Sequence, residues 1–89
     1  MQIAYNQDNL EKNYLNSYVN VSFMKEGVSL SNSLFHTEVF LLGEEKKFQD
    51  FLTLLKEGMS TEDILKELSF FTDDAVLLYE NLLQKYIIE

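Results

Sequence analysis

His36 is the single imidazole of this chain, and cysteine is absent. A metal site or a nucleophile–base pair ordinarily draws on more than one such group. His36 therefore reads as a surface or partly packed side chain. Carboxylates are more plentiful, and three adjacent pairs stand out: Glu44-Glu45, Glu62-Asp63 and Asp73-Asp74. Two carboxylates doing acid–base work need surroundings that push their pKa values apart. None of these pairs has a basic or apolar neighbour pattern of that kind. Each falls in the expected first turn of a helix, where capping and the helix dipole account for acidic residues. The three glycines, Gly27, Gly43 and Gly58, each mark a turn, so no glycine-rich phosphate loop is present. The sequence thus reads as a non-enzyme with no cofactor and no metal. What remains is a surface for a partner.

The 89 residues suit one domain, and 46% are hydrophobic, enough for a core. The formal net charge is −8, and all seven basic residues are lysines. A duplex-binding protein needs a basic footprint and usually arginine for base readout, so nucleic acid is not an expected partner. No apolar run has the length of a membrane span, and the start lacks a basic-then-apolar signal pattern. The expected setting is soluble and cytoplasmic, away from membranes.

The elements that carry any binding surface pivot on Lys56 to Leu65. Gly58 can close one helix, and Ser60 can cap the next, with Asp63 in a capping-box relation. Met59 and Ile64 have the spacing of a hydrophobic staple. One helix is therefore expected from Glu44 to Glu57, with Phe48, Phe51, Leu52 and Leu55 on its apolar face. A short second helix is expected from Thr61 to about Ser69. A third runs from Asp73 nearly to the end, capped by Thr72, with Phe71 and Val76 at staple spacing.

Upstream, Tyr18 to Met24 alternates as a half-buried strand, and Val28 to Ser31 as its hairpin partner. Glu38 to Leu42 is the third strand. Val39 and Leu41 face one way, yet Phe40 and Leu42 make the other side apolar too, where a half-exposed strand would carry polar residues. Residues 1–16 read as a mobile or loosely docked tail, with Leu10 and Tyr14 at helical spacing behind Asp8. Residues 17–89 form the expected domain: α+β, a three-stranded antiparallel sheet followed by three helices.

The third helix is apolar over more than one stripe. Val76, Tyr79, Leu83 and Tyr86, extended by Ile87, suffice to pack a small core. Leu78 and Leu82 form a second stripe, with Ala75 and Lys85 at its ends. Either that stripe is more core or a dimer contact, or it serves a partner.

Val39-Phe40-Leu41-Leu42, a helix ending in Leu54-Leu55-Lys56-Glu57-Gly58, then Thr61-Glu62-Asp63-Ile64 and the ending Tyr86-Ile87-Ile88-Glu89 resemble the PqqD-like family. The resemblance spans about Tyr18 to Glu89 and lies in the order and spacing of the motifs. Gly43 departs from it, since members often show Asn or Asp at that helix entrance. It implies a winged-helix-like βββααα fold and a peptide-recognition element of ribosomally made, modified peptides. Members capture the leader segment of a precursor as an added strand on the third strand, in the groove against the third helix. They present it to a modifying enzyme, such as a radical SAM enzyme or cyclase, or to a leader peptidase. The resemblance implies that Glu38, Val39, Phe40, Leu41 and Leu42 supply the main-chain edge. It implies that Ala75, Leu78, Tyr79, Leu82 and Lys85 supply the groove, with Tyr79 able to reach either side. The negative charge favours a leader with Lys or Arg beside its apolar anchors. Two other functions remain open: a winged-helix DNA-binding regulator, whose charge is wrong, and an adaptor or immunity-type protein binding a folded partner through the third helix.

Overall fold

A computed structural model describes residues 12–89. The elements are β1 (Lys12–Asn13), β2 (Val19–Phe23), β3 (Gly27–Asn32), β4 (Thr37–Leu42), α1 (Glu45–Glu57), β5 (Met59–Ser60), α2 (Thr61–Leu68) and α3 (Ala75–Gln84). The fold is α+β, with a three-stranded antiparallel sheet in the order β2-β3-β4 and three helices.

Period-two alternation sorts the sheet's two faces. Val28 and Leu30 of β3 sit opposite Leu41 and Val39 of β4, and all four are buried. Phe40 and Leu42, on the other face, are exposed. All three helices thus lie on one side of the sheet. Phe48, Phe51, Leu52 and Leu55 form the buried stripe of α1. Ile64 and Leu68 of α2, Leu82 of α3, and Ile87 and Ile88 complete a single core cluster.

The turn between α1 and α2 follows its sequence signals. Gly58 adopts φ 105°, and its N–H reaches the carbonyls of Leu54 and Leu55. A Cβ there would also collide with the Tyr14 ring at 2.6 Å. The Ser60 side chain accepts from the Asp63 N–H at 3.1 Å, capping α2, and Met59 and Ile64 are both buried.

Several expectations are refined or corrected by the structure. The tail drawn through Asn16 is docked from Lys12 onward: β1 pairs with β5, and Leu15 bridges Ile88. The tail's remaining residues, with the Asp8–Leu10 pattern, lie outside the described residues. The third helix begins later than Asp73, because its cap is Asp74, whose carboxylate accepts from the Leu77 N–H at 3.0 Å. Thr72 instead accepts from the Asp74 N–H, and the Phe71–Val76 staple is not made, since Val76 is exposed. That helix also stops at Gln84. Tyr86 then takes φ 60°, turning Ile87 and Ile88 back into the core.

Candidate functional site

The open edge of β4 is the first component. β3 lies on one side of β4, and no described strand lies on the other. In an antiparallel ladder, alternate residues point their N–H and C=O groups toward the partner strand, and those between point away. Two end bonds set the phase: Gly43 N–H donates to Glu26 O at 3.0 Å, and His36 N–H to Asn32 O at 2.9 Å. With Val28 opposite Leu41 and Leu30 opposite Val39, the inward groups belong to Thr37, Val39 and Leu41. The outward groups belong to Glu38, Phe40 and Leu42. Of the five residues expected to supply the main-chain edge, Glu38, Phe40 and Leu42 direct their groups off it, whereas those of Val39 and Leu41 are turned to β3. Strand β2 is the other outer strand, but its first outward donor is used, because Val19 N–H donates to Asn16 O at 3.0 Å.

The second component is α3. Successive contacts place its C-terminal end on the β4 side of the sheet: Asn16 N–H meets Ile87 O, Asn32 Nδ2 meets Tyr86 O, and Thr37 Oγ1 donates to Lys85 O. At the other end, Phe71 stacks on Phe48 with centroids 4.4 Å apart and packs over Gly43, just past β4. The segments on either side of α3 thus reach opposite ends of β4, Phe71 before the helix near Gly43 and Lys85 after it at Thr37.

Rotation of α3 about its axis differs from expectation. Leu82, placed on the spare stripe, is 0% exposed and belongs to the core. Val76, placed in the core stripe, is 55% exposed, and Leu77 is 61% exposed. Tyr79 reaches toward β1 and α2: its hydroxyl donates to Asn13 Oδ1 at 2.9 Å and meets Thr61 Oγ1 at 3.2 Å. Its polar tip is used between β1 and α2, so Leu82 and Tyr79 both leave the candidate site. Ala75 and Leu78 are half-buried against the core, and Lys85 is half-buried at the end of the helix. On the helical wheel, Leu78 and Lys85 share the flank opposite Tyr79.

A feature missed in the sequence sits where the two components meet. Phe35 and Tyr86 stack with centroids 4.1 Å apart beside the start of β4, and both remain about half exposed. Their separation along the chain left no periodic signal. Elsewhere, a groove of about 330 Å³ between β2 and α1 is lined by Val21, Phe23, Leu52 and Lys56 among others. A smaller hollow of about 200 Å³ lies at Phe70 and Phe71.

Chemically, the arrangement offers main-chain hydrogen bonds and apolar contact. His36 is exposed in the turn between β3 and β4, at φ 58°. Among the described residues, no group of three or more His, Cys, Asp or Glu side chains could hold a metal ion. No described helix is long and apolar enough to cross a membrane. No family model matches the chain, and neither does any curated protein or solved structure.

Proposed function

We propose that this protein captures an extended peptide as an added strand on β4, and that the peptide is the leader segment of a ribosomally made precursor. The observation that carries this reading is the edge itself. The outward N–H and C=O groups of Glu38, Phe40 and Leu42 lie on the edge of β4 that no described strand pairs. An exposed edge of this kind is a template for another strand, and pairing supplies affinity whatever the peptide's sequence. Leu78 and Lys85 on the adjoining flank of α3, with Ala75 beneath, would contact its inward side chains. The likeness to PqqD-like elements, and the winged-helix-like order of three strands and three helices, add the biological setting. In it the captured leader is handed, in the cytoplasm, to a radical SAM enzyme, a cyclase or a leader peptidase.

The test is titration of labelled leader peptides encoded beside this gene, followed by amide NMR shifts. Saturable binding that shifts the Glu38, Phe40 and Leu42 amides is expected. Binding that leaves those amides unchanged would end the strand-addition reading.

A second reading is an adaptor that docks a folded partner on α3. It rests on Val76 and Leu77 standing exposed on the helix's outer side. A Val76→Glu, Leu77→Glu double variant that binds leader peptide normally but loses a co-purifying protein would favour it.

A further inference from the structure

Glu38, Phe40 and Leu42 combine two roles. Their main-chain groups point off the free edge, and their side chains stand on the sheet face that no described helix covers. In an antiparallel ladder, residues directly opposite one another carry their side chains on the same face. A strand hydrogen-bonded to these three residues therefore sets three of its own side chains beside them, two positions apart.

The surface they would meet is not uniform. Phe40 is 45% and Leu42 62% exposed, and Met24, in the same cross-strand row as Leu42, is 49% exposed. Gly27 lies between Met24 and Leu42 and must stay bare, because a Cβ there would run into the Leu41 carbonyl oxygen. That end is an apolar surface. The Thr37 end is charged. Ser29 Oγ donates to Glu38 Oε2 at 2.7 Å, which orients the carboxylate. Lys85 approaches this end through Thr37, whose side chain is on the opposite face.

We propose that the outer face of the sheet reads the bound peptide. Apolar side chains lie opposite Leu42 and Phe40, and Lys or Arg lies opposite Glu38. The proposal rests on the strand-addition reading above. Every strand pairing among the described residues is antiparallel. An antiparallel guest gives the order apolar–x–apolar–x–basic from N- to C-terminus, with the intervening positions facing α3. Opposite charges across a strand pair attract and like charges repel, so Glu38 also rejects an acidic residue at that site.

The probe is a display library of random dodecapeptides, selected on the purified protein. Enriched peptides are resynthesised with a fluorophore, measured by anisotropy, and mapped by amide NMR shifts. They are expected to share the apolar–x–apolar–x–basic order, to shift the Glu38, Phe40 and Leu42 amides, and to weaken when the basic residue becomes Glu. Glu38→Lys should reverse the preference, changing the ratio of affinities for basic and acidic peptides by roughly tenfold. Glu38→Gln keeps an acceptor for Ser29 and should abolish the preference, which covers the case in which the lysine variant folds poorly. Peptides that shift the three amides yet show no charge preference opposite Glu38, or the same preference in both variants, overturn this inference and leave strand addition standing. Binders that leave the three amides unmoved, or a library without binders, overturn both.

Discussion

The carboxamide Nδ2 of Asn32 donates to the main-chain carbonyl of Tyr86 at 2.8 Å, joining the end of β3 to the turn that follows α3. Asn32 is 1% exposed, and its Oδ1 also accepts from the N–H groups of Leu34 and Phe35, at 2.9 and 3.1 Å. One buried side chain thus shapes the turn before β4 and steadies Tyr86, a non-glycine residue at positive φ. Asn32→Ala should cost about 2–3 kcal/mol, because buried main-chain groups lose their partners. A urea melt within error of the parent protein would show that water replaces the amide.

Leu82 and Leu77 give opposite answers on one helix. Leu82→Ala should destabilise by about 2–5 kcal/mol through loss of buried contacts. Leu77→Glu, at an exposed position, should stay within about 0.5 kcal/mol of the parent. Equal losses in thermal melts would mean that α3 is rotated from the orientation described.

Phe40→Pro separates binding from folding. Proline at an edge-strand position whose N–H points to solvent costs no ladder bond, whereas the Val39 N–H faces β3. Phe40→Pro should fold and lose leader-peptide binding, with Phe40→Ala retaining more of it as the side-chain control. Val39→Pro should unfold the sheet, as read by circular dichroism. Full peptide affinity in folded Phe40→Pro would count against the edge as the binding site.

The cap of α2 is a single contact, Ser60 Oγ to Asp63 N–H. Ser60→Ala should lose about 1 kcal/mol in chemical denaturation. An unchanged midpoint would mean that solvent or a neighbouring group caps the helix as well.

The C-terminal residues close the domain. Ile87 and Ile88 are 0% and 2% exposed, and Tyr14 and Glu89 exchange main-chain hydrogen bonds of 2.9 Å. Removing Ile87, Ile88 and Glu89 should cost about 3–6 kcal/mol from the two isoleucines alone. That is comparable with the whole stability of a small domain. A cooperative melt at the parent midpoint would contradict this.

Local signals in the sequence determined much of the architecture. Alternation in Val19–Phe23 and in Glu38–Leu42, the apolar stripe of α1, and the Gly58–Ser60 turn each depend on neighbours a few residues away. Each could therefore be read before any fold was known. The unusual second apolar face of β4 was also legible, and Phe40 and Leu42 do stand exposed there. Tertiary structure alone decided the rest. Helix α3 is apolar around most of its circumference, at Ala75, Val76, Leu77, Leu78, Leu82 and Leu83, so its pattern does not select a buried side. Contacts distant in sequence select it: Tyr79 to Asn13 and Thr61. The docking of Lys12 to Asn16 likewise depends on β5 and the C-terminus, far along the chain. The phase of the β4 edge follows from its pairing register with β3, because side-chain alternation tells which face a residue occupies but not which neighbour its main chain bonds.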